Sequence, residues 1–295
     1  MKIAIYGQFY PKNSTVYIKN LLQILSNKPV EVLIKKTFLD AINAHHDLAI
    51  DDTHKFQTFS TLDTSFNLLI SIGGDGTILR AIEHVKDLDI PIIGLNTGRL
   101  GFLATIQKDT IEAAIDQILD GKYSISERSL LSITTHPINA ALQGFNVALN
   151  EITVSRKNTT SMITVDTYLN NEYLTSYWAD GLIVSTPTGS TGYSLSCGGP
   201  VIIPEAKNFV ITPIAPHNLN ARPLIIPDST VIKLKVHGRE EHHLASLDSR
   251  IATLDIATEI TIKKADYTIK MLTLEEKSFL STLRKKLLWG EDKRN

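Results

Sequence analysis

Apolar runs and amphipathic stretches alternate through the first part of the chain. Ile3–Gly7 reads as a strand and Val16–Leu25 as a helix, its apolar residues at helical spacing. Val30–Lys35 is a second strand. A polar stretch follows it, and then Leu68–Ile72, continuously apolar in the way of a buried strand. Helical spacing resumes at Ile78-Leu79-Arg80-Ala81-Ile82, and Ile90-Pro91-Ile92-Ile93-Gly94-Leu95 is the next strand. In the helix beyond it Asp109 and Glu112 are spaced as a capping box, with Gly121 just past the end. Such alternation implies a parallel sheet covered by helices, with ligands at the carboxyl ends of its strands.

The pattern changes near Tyr123. From there to about Thr273 the chain is rich in Val, Ile, Thr and Tyr and shows few helical periods. Met162–Ala179 reads as a hairpin turning at Asn170-Asn171. Val231–Val236, Ile251–Leu254 and Glu259–Lys263 alternate as strands do. The last segment, Glu275–Trp289, carries Phe279, Leu280, Leu283, Leu287 and Leu288 near helical spacing and needs an apolar surface to cover. The expected fold is an α/β Rossmann-like N-terminal domain over 1–125, completed by 274–295, and a β-rich sandwich over 126–273. The C-terminal helix is expected to return to the first domain.

Apolar content of 43% and charged content of 21% fit an ordinary soluble chain, and its 295 residues suffice for two domains. A net charge of −1 offers no field for nucleic acid or an anionic membrane. Met1–Gly7 is too short for a signal peptide, and no apolar run is long enough to span a bilayer. The one cysteine, Cys197, excludes an internal disulfide and a cysteine metal cluster. These features point to the cytoplasm.

Chemistry enters at Gly73-Gly74-Asp75-Gly76-Thr77, between a strand and a helix. Glycines let backbone N–H groups approach phosphate oxygens, and a helix N-terminus adds partial positive charge. A carboxylate among them suggests phosphate chemistry, although an Asp here can also simply cap the helix. Gly94-Leu95-Asn96-Thr97-Gly98-Arg99-Leu100-Gly101-Phe102-Leu103 leaves the next strand and should face the same crevice, unless it is a plain connecting loop. Asn150-Glu151 interrupts the apolar strand Phe145–Val154. Either the pair lies on a solvent edge, or at least one of the two meets something it must hydrogen-bond, such as ribose hydroxyls or an amide edge.

The stretch Asp180–Pro200 opens from a buried strand into hydroxyls and glycines. It contains neither a Walker A sequence nor the Gly-x-Ser-x-Gly elbow of hydrolases. In Thr212–Pro223, prolines stiffen a turn that aims His217 and Arg222, although a lone His is more often structural than catalytic. No His or carboxylate cluster has metal-ligand spacing, so a metal would arrive with a nucleotide.

Together, Gly73-Gly74-Asp75-Gly76-Thr77, Gly94-x-Asn96-x-Gly98-x-Leu100-Gly101-Phe102, Asn150-Glu151, Thr186-Pro187-Thr188-Gly189-Ser190-Thr191-Gly192-Tyr193 and Pro216-His217-x-Leu219-x-x-Arg222-Pro223 resemble an NAD kinase, in family order across residues 73 to 223. The first motif alone is shared with diacylglycerol, sphingosine and fructose-phosphate kinases. The resemblance implies phosphorylation of the 2′-hydroxyl of the adenosine ribose of NAD by ATP, with Mg2+ or Mn2+ carried on ATP and a homodimer or homotetramer as the assembly. It implies Asp75 as general base. It places Asn150 and Glu151 on the ribose and nicotinamide side, and Asp180, Thr188, Thr191 and Tyr193 around the dinucleotide with Ser196 close by. Gly74, Gly76, Arg80, Asn96, Gly192, Ser194, Leu195, Ala215, His217 and Arg250 complete the implied substrate contacts. The chain departs from the family's habit at Gly192, often Ala, and near Arg250, often Gln or Asn.

Two other readings stand beside this one. A lipid kinase would need an acyl groove or a basic membrane patch, and the sequence shows neither. A non-catalytic nucleotide-binding regulator would not need Asp75. For an NAD kinase the two domains are expected to form one crevice, with NAD between them.

Overall fold

The computed structural model describes residues 1–8, 15–44, 56–98, 101–158, 161–275 and 278–290. Arg99 and Leu100 of the second motif lie outside the described residues, as do residues 276 and 277 of the expected last helix. The chain divides into two units, one of Met1–Glu127 with Ile269–Asn295 and one of Arg128–Thr268.

The first unit is built on an eight-stranded sheet. Gln57–Phe59, Glu31–Lys35, Lys2–Gly7, Leu68–Gly73, Ile92–Asn96, Ile269–Leu274 and Tyr123–Arg128 succeed one another across it, and Ile106–Gln107 also pairs with Ile92–Asn96. The first six of these pair parallel in register, for example Ile5 with Ile70 and Ile70 with Ile93. The chain builds outward on one side of Lys2–Gly7 and then crosses to build outward on the other, through Leu68–Gly73. The crossing creates a switch point where the carboxyl ends of Lys2–Gly7 and Leu68–Gly73 stand side by side, and open α/β sheets bind ligands at such points. Ile3, Ile5, Leu68, Ile70, Ile72 and Ile93 form one core with Ile18, Leu21, Leu22 and Leu25 of the helix Thr15–Ser26 and with Ile111, Ile115 and Ile118 of the helix Ile111–Leu119.

Three local expectations are corrected here. The polar stretch after Lys35 contains a helix, Lys36–Asn43, whose Phe38, Leu39 and Ile42 are buried. Its apolar face is one narrow stripe among polar residues, which hid the period. The helix after Gln107 has Thr110 at its N-cap with no side-chain cap bond, and a short 3-10 turn over Lys108–Thr110 takes up Asp109, so no Asp109–Glu112 box forms. Its end is as expected. Gly121 adopts φ 74° and donates to Ile118 while Lys122 donates to Gln117, a Schellman closure. Finally, Ile269–Leu274 alternates like the sandwich strands but adds to the first sheet, beside Ile92–Asn96.

The second unit is a sandwich of two six-stranded sheets. One contains Glu151–Arg156, Gly181–Ser185, Asn208–Ile214, Leu224–Pro227, His242–Leu247 and Arg250–Asp255. The other contains Leu131–His136, Val147–Ala148, Ile163–Leu169, Glu172–Ala179, Ile232–His237 and Glu259–Lys264. Pairing is antiparallel throughout, and inward residues such as Ile152, Val154, Val165, Val184, Phe209, Leu234 and Ile262 make the core. The hairpin turns at Asn170 and Asn171 with φ 50° and 71°, the primed turn that matches strand twist.

The C-terminal helix, Phe279–Leu287, belongs to the first unit and opens with a Ser278–Ser281 capping box. Its apolar face is thinner than expected. Leu283 is buried and Phe279 lies 6.4 Å from the Phe102 ring, but Leu280 and Leu288 are 58% and 63% exposed.

Candidate active site

The first unit presents Asp75 at the switch point. Its helix, Asp75–Val85, is capped by Gly74, which makes no side-chain bond, so Asp75 is not the cap. The carboxylate points instead to the loop of the second glycine motif. Oδ2 accepts the N–H of Phe102 at 2.7 Å, and Oδ1 accepts those of Leu103 at 3.1 Å and Ala104 at 3.0 Å. Gly101 makes this approach possible, because a Cβ there would lie 1.8 Å from Asp75 Oδ1. A half-buried carboxylate is thus fixed in direction by three amides. Gly74, Gly76 and Arg80 around it are exposed.

Asn96 ends the neighbouring strand, buried, with Oδ1 accepting the Gly98 N–H at 2.8 Å. A pocket of about 220 Å³ opens there, lined by Asn96, Gly98, Gln107, Lys108 and Asp109. It lies at the carboxyl ends of two parallel strands, where this architecture places ligands.

The second unit presents Asn150 and Glu151. The expected single strand Phe145–Val154 is in fact two. Val147–Ala148 pairs in one sheet, Glu151–Arg156 in the other, and Leu149-Asn150 crosses between them. The polar pair therefore marks a crossing rather than an interrupted strand. Around it folds the hydroxyl-rich segment, as a 3-10 turn over Thr188–Thr191 and a helical turn over Tyr193–Ser196.

Most of that segment's hydroxyls hold its own shape. Thr186 Oγ1 donates to the Leu149 carbonyl at 2.6 Å, Ser190 Oγ to the Pro187 carbonyl at 2.7 Å, and Thr191 Oγ1 to the Thr188 carbonyl at 3.2 Å. Ser194 Oγ and Thr212 Oγ1 share a bond of 2.8 Å. Gly189 lies against the Asn150 backbone so closely that a Cβ would sit 2.1 Å from its carbonyl oxygen. Within the segment Tyr193 is 45% exposed and Ser196 is also exposed. Leu195 is half-buried.

Glu151 sits in an unfavourable environment for a carboxylate. Burial, and then the like charge of Asp248, push its pKa up to about 7, opposed by a hydrogen bond from the Tyr193 backbone. Its Oε2 is buried with no hydrogen-bond partner. Such a group is a functional-site candidate on physical grounds. Asp248 is not singled out by the sequence pattern. It lies between Leu247 and the alternating stretch Ile251–Leu254, with nothing in the local pattern to mark it.

The remaining expected residues are more dispersed. Asp180 pairs with Arg156 at 2.9 Å. Ala215 takes φ 43° at the end of Asn208–Ile214, so the Thr212-Pro213-Ile214 part of the expected turn is strand. His217 packs its ring 4.4 Å from Trp178 and donates its backbone N–H to the Trp178 carbonyl. Arg222 donates to the Leu219 and Ala221 carbonyls of its own turn. Arg250 lies over the Phe145 ring and donates to the carbonyls of Phe145 and Val147. Among the described residues no group of three His, Cys, Asp or Glu is arranged to hold a metal ion.

Residues 7–123 match the family model of the ATP-NAD kinase N-terminal domain, and residues 149–274 that of the ATP-NAD kinase C-terminal domain. The chain is 62% identical to the NAD kinase of Christiangramia forsetii and 56% identical to that of Flavobacterium johnsoniae, each over 295 residues and the whole of both chains. A solved NAD kinase from Archaeoglobus fulgidus in complex with ATP superposes with a TM-score of 0.74 at 25% identity, covering 98% of this chain and 99% of that one. Yeast NADH kinase complexed with NADH shares the fold, with a TM-score of 0.84 at 23% identity over 99% of this chain and 89% of that one.

Proposed function

The chain belongs to the NAD kinase family, and on that premise we infer that it transfers the γ-phosphoryl group of ATP to the 2′-hydroxyl of the adenosine ribose of NAD, giving NADP. The observation that carries the residue assignment is the Asp75 carboxylate, held by three amides at the switch point of the sheet. Asp75 takes the proton from the 2′-hydroxyl as its oxygen attacks the γ-phosphorus and the ADP oxygen leaves. A positioned base of this kind supplies typically ~10²–10⁴-fold. The amides do not compete for the incoming proton, because a carboxylate has about four acceptor sites. Phosphoryl transfer otherwise needs alignment and charge neutralisation. The exposed backbone at Gly74 and Gly76, at the start of the Asp75–Val85 helix, is suited to phosphate oxygens. Arg80, on the same helix, and Asn96, opposite Gly73 in the neighbouring strand, are assigned as further substrate contacts.

The divalent cation, Mg2+ or Mn2+, is read as part of the substrate, arriving on the ATP phosphates. On the other substrate, Asn150 and Glu151 hold ribose hydroxyls, and the Thr188–Ser196 segment offers its backbone and the Tyr193 ring to the dinucleotide. Thr188, Thr191, Gly192, Ser194 and Leu195 shape that surface, with Asp180, Ala215 and His217 at its margin. Arg250 is assigned a supporting part, since its guanidinium is engaged by the Phe145 and Val147 carbonyls.

The assembly is proposed to be a homodimer or homotetramer. Tyr173, Trp178, Ile225 and Ile251, roughly half or more exposed on the sandwich, are the side chains a subunit contact would cover. Among the described residues no helix is long and apolar enough to cross a membrane, and the cytoplasm is the proposed compartment. The reaction is tested by incubating the purified chain with ATP, Mg2+ and NAD, with diacylglycerol replacing NAD in a parallel reaction. NADP in the first reaction only is the expected result. Phosphorylated lipid, or no product in either, overturns it.

A further inference from the structure

Behind Asn150 and Glu151 lies a second carboxylate fixed by three amides. Asp248 occupies the turn between His242–Leu247 and Arg250–Asp255, with φ 52°. Its Oδ2 accepts the Leu149 N–H at 2.9 Å, and its Oδ1 accepts those of Asn150 at 2.8 Å and Glu151 at 3.1 Å. The Asp248 N–H donates in turn to the Glu151 carbonyl at 3.0 Å. Leu149 and Asn150 belong to no strand where the chain crosses between sheets, so Asp248 takes up amides that no ladder satisfies.

Both carboxyls are buried, and the like charge of Asp248 acts on Glu151. Burial leaves the pKa of Asp248 raised overall, although its three amide donors and the charge of Arg250 pull it back down. The three amides that reach the Asp248 carboxylate, and the charge of Arg250, favour its ionised form. Glu151 has one backbone donor, from Tyr193, and an oxygen with no partner. Of the two carboxyls, Glu151 is the less supported in its ionised form and takes up a proton first.

The other titratable groups near Glu151 do not oppose this. The Cys197 thiol is raised by burial and by Glu151, and the Tyr193 phenol by burial and then by Cys197, Asp180 and Glu151. Asp180 is itself paired with Arg156. Gly192 packs beside the buried unpartnered oxygen, where a Cβ would stand 3.0 Å from it.

We propose that Asp248 is a positioning residue acting through Glu151: it fixes the Leu149–Glu151 crossing for the dinucleotide and keeps the Glu151 carboxyl protonated while the site is empty, so that NAD binding releases a proton. The proposal rests on the reading of Asn150 and Glu151 as NAD contacts. Ribose hydroxyls donate to an ionised Glu151, and its proton passes to solvent buffer. NAD affinity then nears completion by about pH 8, is about half of that at pH 7, and weakens further as the pH falls, by about tenfold between pH 8 and pH 6.

The test measures NAD affinity of the full chain by titration calorimetry at both pH values, in buffers of differing ionisation enthalpy. Wild type is expected to bind about tenfold more weakly at pH 6 and to release a proton near pH 7. Asp248→Asn keeps the Oδ1 acceptor but removes the charge, and is expected to shrink the ratio and move its midpoint lower. Glu151→Gln is expected to abolish the ratio. A merely structural role for Asp248 would weaken binding equally at both pH values. The proposal is overturned if wild-type affinity is independent of pH, or if Asp248→Asn retains the full ratio at the same midpoint. Should Asp248→Asn not fold, wild-type proton release and Glu151→Gln decide alone. Wild-type NADP formation is assayed on the same preparation. Its absence removes the proposed function, whereas NADP formation with pH-independent affinity removes only this inference.

Discussion

Replacing Gly101 by Ala tests whether the orientation of Asp75, and not merely its presence, drives turnover. The new Cβ would lie 1.8 Å from Oδ1, 2.5 Å from Cγ and 2.8 Å from Oδ2 of Asp75. Non-bonded atoms rest near ~3.5–4 Å, so one side must retreat by an ångström or more on the order of magnitude of that mismatch. The carboxylate is the mobile side, since it turns about its own side-chain torsions while the loop is anchored in the chain. Such a retreat stretches all three amide bonds, now 2.7, 3.1 and 3.0 Å, past the range in which they count as hydrogen bonds. Bonds to charged groups contribute about 1.5–3 kcal/mol each. Water re-solvates part of a half-buried carboxylate, so the stability loss should be about 1–3 kcal/mol in total. Turnover is more sensitive. A misplacement of about 1 Å can lower a rate about 10²-fold. The expected variant is folded, melts several degrees lower, binds NAD nearly as wild type does, and turns over at least about 10²-fold more slowly. Steady-state kcat and KM for each substrate, with a thermal melt, provide the assay. A folded Gly101→Ala enzyme with wild-type kcat would refute the orienting role of the amides.

Asn150→Ala and Glu151→Gln should raise KM for NAD more than KM for ATP, and titration of each substrate at saturating levels of the other checks this. Phe279→Ala removes the ring beside Phe102, whose amide holds Asp75, and should lower kcat with a stability loss of about 1–3 kcal/mol for a partly covered aromatic. Unchanged kcat would separate the C-terminal helix from the site. His243 is fully buried with neither ring nitrogen hydrogen-bonded, and burial pulls its pKa from an ordinary 6.5 down to about 4. Its neutral form is the folded one, so its contribution is complete above pH 6.5 and is lost as the pH falls toward 4, by about 2 kcal/mol at pH 5. Denaturant unfolding at pH 7 and pH 5 should show that loss in wild type and much less of it in His243→Leu.

The strands of the first sheet were legible because they are buried on both faces, as Leu68–Ile72 shows, and glycines and prolines punctuate them. Asn170-Asn171 announced its turn for an equally local reason, the tolerance of Asn for positive φ. What the pattern missed depends on distant partners. Lys36–Asn43 has too narrow an apolar stripe to show a period, and Ile269–Leu274 has the alternation of a sandwich strand although it pairs with Ile92–Asn96. Asn150-Glu151 was visible as polarity out of place, but its cause, a crossing between sheets stitched by Asp248 almost a hundred residues later, was not. The hydroxyls of Thr186–Ser194 looked like ligand contacts. Several of them bond carbonyls of their own fold, which composition does not reveal.

The most direct measurement identifies the product of ATP, Mg2+ and NAD by phosphorus NMR, with wild type and Asp75→Asn side by side. Wild type should yield a single new phosphomonoester on the 2′-oxygen of the adenosine ribose, in material that an NADP-specific dehydrogenase reduces. Asp75→Asn should bind NAD and form that product at least about 10²-fold more slowly. A phosphate on any other oxygen, or equal rates for the two proteins, would contradict the assignment.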